Sequence, residues 1–153
     1  MKSERSVSEL KKHVGFWLRF VSNHVSYAFA AKLERTGVTV AEWVILREMY
    51  GTESSSPSTI AVRTGLTRGA VSKLVDRLFA KELVTREDRT DDRRYQSIAL
   101  TTTGRRLVPK LAALADENDE EFFSSLSAKE REALVATLKK LVKTEELQKV
   151  PTN

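Results

Sequence analysis

Arg68, Ser72, Lys73 and Arg77 recur at helical spacing within Leu66-Thr-Arg-Gly-Ala-Val-Ser-Lys-Leu-Val-Asp-Arg-Leu78, and Arg86, Arg89, Arg93 and Arg94 follow in the next turn of sequence. Such a row makes and breaks no bonds. It binds anions: arginine presents a planar fork of N–H donors that fits phosphate oxygens or the O6/N7 edge of guanine, and lysine acts as a point charge. Residues 61–110 hold twelve Lys/Arg against six Asp/Glu, whereas the rest of the chain carries a net −1, so all of the +5 excess is placed here. That clustering puts nucleic acid first among possible partners.

Other chemistry has little to work with. The chain lacks cysteine, which excludes a disulfide framework, a thiolate zinc site, a cysteine nucleophile and a cysteine-based oxidation sensor. Its two histidines have no acidic pair at metal spacing, and no glycine-rich phosphate loop is present. No catalytic residue, metal or cofactor is therefore assigned, and the expectation is a protein that is not an enzyme.

The basic row needs elements to position it. Thr67 can cap a helix whose stripe Val71, Leu74, Val75 and Leu78 is buried, leaving Arg68, Ser72, Lys73 and Arg77 outward. Ser56-Pro57 starts a shorter helix that Gly65 stops, and two short helices joined through a glycine turn have the helix-turn-helix signature. Upstream, Thr39-Val-Ala-Glu42 is a capping box opening a helix to about Tyr50, with Trp43, Leu46 and Tyr50 expected on its inner face. Downstream, Leu83–Glu87 and Ser97–Thr101 read as two strands joined by a polar loop, a wing.

Thr102 or Thr103 then caps a helix to about Phe123, kinked at Pro109, and Ser127-Ala-Lys-Glu130 is a second capping box before a stripe of Leu134, Leu138, Leu141 and Val142. Residues 6–34 form a helix too apolar on too many sides for a plain surface element, which implies a second chain against it.

This order of elements resembles the MarR (multiple antibiotic resistance regulator) family of winged-helix transcription factors. The likeness rests on Leu66–Leu78, on Leu83-Val-Thr-Arg86, and on Asp92-Arg-Arg94 followed by Leu100-Thr101 and Gly104, and the architecture matches over nearly the whole chain. The chain departs from the pattern at Glu82, where the family often ends its recognition helix with glycine, and at Tyr95, where a small residue is common. Glu82 must take a positive φ at some cost or let the chain leave the helix by another route.

The resemblance implies a mainly α fold in one domain over 1–153. A winged helix-turn-helix DNA-binding lobe spans 39–101, and a helical dimerisation lobe is formed by the N- and C-terminal helices, 6–34 and 103–148. A helix N-terminus in the major groove places Arg68, Ser72 and Lys73 at base edges, with Gly69 on the same turn. Thr67 and Arg77 flank them as phosphate contacts, and the Ser54–Ser58 tract, through Ser58, adds backbone N–H donors. At the wing, Arg94 is the choice for minor-groove insertion with Asp92 bracing it; Arg93 and Arg89 suit phosphates, and Arg86 a strand-end positioning role.

One module reads few base pairs, so the expected partner is a pseudo-palindromic double-stranded operator gripped by a homodimer. The resemblance further implies a repressor released by a small aromatic or phenolic effector, in a cleft lined by Phe16, Trp17, Phe20, His24, Trp43, Leu46 and Tyr50. The N-terminus has no signal-type apolar core and no run approaches the ~20 apolar residues of a membrane span, so a cytoplasmic protein without membrane contact is expected. The rival is a winged-helix protein-interaction adaptor without specific DNA binding.

Overall fold

Side-chain caps set most of the helix starts. In the computed structural model, which describes residues 6–88 and 96–144, the elements are α1 (Val14–Leu33), α2 (Val40–Tyr50), α3 (Pro57–Thr64), α4 (Arg68–Ala80), β1 (Val84–Asp88), β2 (Gln96–Leu100), α5 (Thr102–Phe122) and α6 (Ala128–Thr144). The Thr39 hydroxyl accepts the Glu42 N–H at 3.2 Å while the Glu42 carboxylate accepts the Thr39 N–H at 3.0 Å, completing the capping box of α2. Ser127 and Glu130 do the same before α6. Ser56 caps α3 with Pro57 at its first position, and Gly65 ends it at φ 72°. Thr67 caps α4 through the Ala70 N–H at 3.1 Å.

Three boundaries differ from the sequence-based expectation. The first helix does not run from residue 6: a 3₁₀ turn at Leu10–Lys12 is followed by His13 in an extended conformation, and α1 begins only at Val14. No side chain caps that start, and the Trp17 indole N–H instead reaches back to the Lys11 carbonyl at 2.8 Å. The cap of α5 is Thr101, one residue before Thr102 and two before Thr103, because its hydroxyl both accepts the Gly104 N–H and donates to the Glu82 carbonyl. The strands are shifted by about one residue as well, pairing antiparallel from Val84 opposite Leu100 to Asp88 opposite Gln96. Helix α5 continues through Pro109.

The core gathers Leu33 from α1, Ile45, Leu46 and Met49 from α2, Ile60 from α3, the expected Val71, Leu74, Val75 and Leu78 from α4, Val84 and Ile98 from the strands, and Val108 and Leu111 from α5. The expected inner face of α2 is rotated: Leu46 is buried, Trp43 is half-buried, and Tyr50 is exposed, since Glu42, Ile45 and Met49 occupy the inward positions. Asn118 of α5 is buried against α1, donating to the Val25 carbonyl at 3.3 Å.

The hairpin is joined to the helix-turn-helix unit. Ser55, just before α3, exchanges two backbone hydrogen bonds of 2.8 Å with Ile98 of β2. At the other edge, Gly104 packs so closely on Leu83 that an added Cβ would lie 2.1 Å from the Leu83 carbonyl oxygen. Helix α4 ends in a Schellman pattern: Leu83 N–H bonds the Leu78 carbonyl and Glu82 N–H the Phe79 carbonyl, with Glu82 at φ 59°. Of the two routes open to Glu82, the chain takes the left-handed one.

Candidate nucleic-acid interface

Burial sorts the side chains of α4 into two faces. Val71, Leu74, Val75 and Leu78 point into the core, and Thr67, Arg68, Gly69, Ser72, Lys73 and Arg77 are exposed. Among the described residues Arg68, Lys73 and Arg77 form no ion pair. An outward row of cations on one helix face is an electrostatic footprint for an anion.

Arg86 differs. Its guanidinium is paired with Asp76 of α4 and stacks over the Phe79 ring, 4.2 Å from the centroid. That arrangement fits a residue that fixes β1 against α4, and its donors are already partly engaged. Ser58 is half-buried in the first turn of α3. The remaining wing residues Arg89, Asp92, Arg93 and Arg94 lie outside the described residues.

Between α4 and the strands is a recess of about 280 Å³ lined by Pro57, Arg68, Ser72, Val75, Asp76, Arg86 and Gln96. It places the N-terminal half of α4 beside the root of the hairpin. A second polar recess, about 360 Å³, lies against it with Ser54, Ser55, Ser56, Thr59 and Gln96 in its walls. Sequence reasoning missed Asp76 and Gln96. A lone acid on a basic helix face was a usable sign for the first; the second depends on the strand register and had none.

The seven residues expected around an effector do not form one wall. Phe16, Trp17, Phe20 and His24 cluster along α1, with Phe20 and His24 stacked at 4.3 Å. The His24 Nδ1 pairs with its own helix at the Phe20 carbonyl, 2.7 Å away. Trp43 instead packs edge-on against Phe29 at 6.2 Å, Leu46 is wholly inside the core, and Tyr50 lies near the Arg105 guanidinium. A strongly apolar recess, about 560 Å³, includes only Trp17 of the seven and runs between α1 and α6, past Val21, Val25, Phe123, Leu134 and Leu138.

No described helix is long and apolar enough to cross a membrane. Among the described residues no group of three or more His, Asp or Glu could hold a metal.

The model of the MarR family matches residues 36–94, from the turn before α2 to a point short of β2. Over that segment the chain is similar to the MarR family. The MarR-type architecture extends beyond the matched segment. A structure of Bordetella bronchiseptica BpsR, whose DNA binding is regulated by 6-hydroxynicotinic acid, superposes with a TM-score of 0.80 at 25% identity, over 89% of this chain and 98% of that one. CouR from Rhodococcus jostii, bound to p-coumaroyl-CoA, superposes with a TM-score of 0.77 at 26% identity over 88% and 95%. By sequence, a putative transcriptional regulatory protein for the hcr operon of Thauera aromatica is 29% identical over 84% of this chain and 78% of its own length. These likenesses support a MarR-like, winged-helix transcriptional regulator.

Proposed function

We propose that this chain is a cytoplasmic, sequence-specific double-stranded-DNA-binding repressor that works as a homodimer and is released from its operator by a small aromatic molecule. The observation that carries the reading is the outward face of α4, where Arg68, Ser72, Lys73 and Arg77 stand exposed over a buried apolar stripe. A helix so presented fits the major groove, with Arg68, Ser72 and Lys73 toward base edges and Thr67, Gly69 and Arg77 along the backbone. Ser58 adds a phosphate contact. Arg94, braced by Asp92, enters the minor groove, and Arg89 and Arg93 meet phosphates.

The dimer reading draws on α1 and α6. Helix α6 has no buried residue in its own chain, and Leu134, Leu138, Leu141 and Val142 remain 39–44% exposed. Val14, Trp17, Leu18, Phe20 and Val21 of α1 are exposed as well. Apolar surface on this scale marks an interaction site, and a second copy gives a two-fold contact. Residues 39–101 then serve as the DNA-binding lobe, with 6–34 and 103–148 as the dimerising one. Effector release draws on the relatives that respond to or bind aromatic compounds, BpsR and CouR.

Footprinting on DNA upstream of the protein's own coding region, across a salt series, tests the reading. Protection of a two-fold-related site, with affinity falling steeply as salt rises, is expected. Affinity indifferent to salt and to Arg68→Ala would assign the fold to protein interaction instead.

A further inference from the structure

Glu42 is 1% exposed, yet it is an acid at the start of α2. One carboxylate oxygen, Oε2, accepts both the Thr39 N–H at 3.0 Å and the Lys81 Nζ at 2.7 Å. The same Nζ donates to the Gly37 carbonyl at 2.7 Å. The other oxygen, Oε1, is buried with no hydrogen-bond partner among the described residues. An enclosed carboxylate with half its acceptor capacity unused depends on the cation it does have, so this contact tolerates little change in distance or direction.

Its position in the fold gives the contact a use. Lys81 is the residue immediately after α4, at the end remote from Arg68; thirteen residues of helix put about 20 Å between the two ends. Gly37 and Thr39 belong to the turn that follows α1 and begins α2. One ammonium group therefore ties the far end of the recognition helix to the corner from which the dimerising helix departs. We propose that Lys81 is a positioning residue: its link to Glu42 and Gly37 sets the angle of α4 relative to α1, and so the separation of the two recognition helices in the dimer. This rests on the DNA-binding dimer reading above.

The test starts from a duplex that the wild-type protein selects out of a randomised library, with base pairs then added or removed between its half-sites. The wild type should bind the altered spacings about tenfold more weakly or worse. Lys81→Met should bind all spacings within about twofold of one another, yet keep the slope of affinity against salt, because no phosphate contact is lost. Lys81→Arg should keep the wild-type preference. In case Lys81→Met folds poorly, the double variant Glu42→Gln/Lys81→Met removes the stranded charge together with its partner and should show the same relaxed spacing. If the folded variants melt earlier but discriminate spacing as the wild type does, Lys81 only stabilises and the proposal is overturned. If the wild type selects no two-fold site at all, the DNA-binding reading falls first and takes the link with it.

Discussion

The Arg86 guanidinium is clamped between Asp76 and the face of the Phe79 ring, and so helps fasten the first strand of the hairpin to the recognition helix. Arg68, two turns earlier on the same helix, forms no ion pair among the described residues. The two arginines should therefore fail differently. Arg68→Ala should relax discrimination at one base pair by about 1–3 kcal/mol. Arg86→Ala should leave the salt slope alone and cost about 1 kcal/mol or less in stability, as expected of a partly exposed pair with a cation–π contact. Fluorescence anisotropy on the selected duplex and its single-base variants over a salt series, with urea unfolding alongside, separates them; discrimination lost equally in both variants would contradict the division.

Glu82 holds a left-handed backbone at φ 59° where glycine would pay no steric penalty. Glu82→Gly should raise stability by up to about 1 kcal/mol, since relief of the strain outweighs the extra freedom of glycine in the unfolded chain. The check is a higher urea midpoint with an unchanged m-value. A lower midpoint would mean that the Glu82 side chain makes a contact outweighing its backbone strain.

Gly104→Ala should act in the opposite direction. The new methyl would meet the Leu83 carbonyl oxygen at 2.1 Å, and that backbone is already engaged at the end of α4. Crowding of this kind costs about 1–3 kcal/mol, which for a chain of this size lowers the melting temperature by several degrees, roughly 2–4 °C per kcal/mol. Thermal unfolding of the variant at wild-type Tm would show that the junction can open freely.

Acid should weaken the α2–α4 junction. Burial pushes the Glu42 carboxyl up, but the Lys81 hydrogen bond, the Thr39 N–H and the charges of Lys81 and Arg77 together pull it below the ordinary 4.5. Because the folded form then binds its proton less readily than the unfolded chain, Glu42 contributes fully above about pH 4.5, and its contribution is lost as pH falls through the depressed value. Glu120, Glu121 and Glu130 are depressed too, by Arg131, Lys32 and the Ser127 N–H respectively, and act with the same sign. Urea midpoints measured from neutral pH downward should drop below about 4.5 in the wild type and drop less in Glu42→Gln. Parallel curves for the two proteins would remove Glu42 from this account.

Leu138→Glu should separate assembly from folding. No residue of α6 is buried within its own chain, so a carboxylate at this position should leave the helical circular dichroism intact. It would place a charge in the apolar groove shared with Trp17 and Val21, and sedimentation should report monomer where the wild type is dimer. A dimer that survives this change would place the two-fold contact elsewhere.

What was legible in the sequence was local. Capping boxes at Thr39/Glu42 and Ser127/Glu130 announce themselves because donor and acceptor are three residues apart, and the stripe Val71, Leu74, Val75 and Leu78 shows its buried side by period alone. The outward placement of Arg68, Ser72, Lys73 and Arg77 follows from that stripe. Features that depend on distant partners were not legible. Lys81 meets Glu42 across 39 residues, and Thr101, the cap of α5, also donates its hydroxyl hydrogen bond to the distant Glu82 carbonyl. The grouping of Trp43, Leu46 and Tyr50 failed for a related reason: a helix contacted on several sides by α1, α3, α4 and α5 has no single apolar face to read.

The two mutual hydrogen bonds between Ser55 and Ile98 carry a mechanical consequence. They weld the hairpin to the chain entering α3, so the recognition helix and the root of the wing travel as one rigid calliper. A duplex whose grooves are too far apart for that calliper must itself bend or narrow to fit, and the energy of deforming it becomes part of how sequences are told apart.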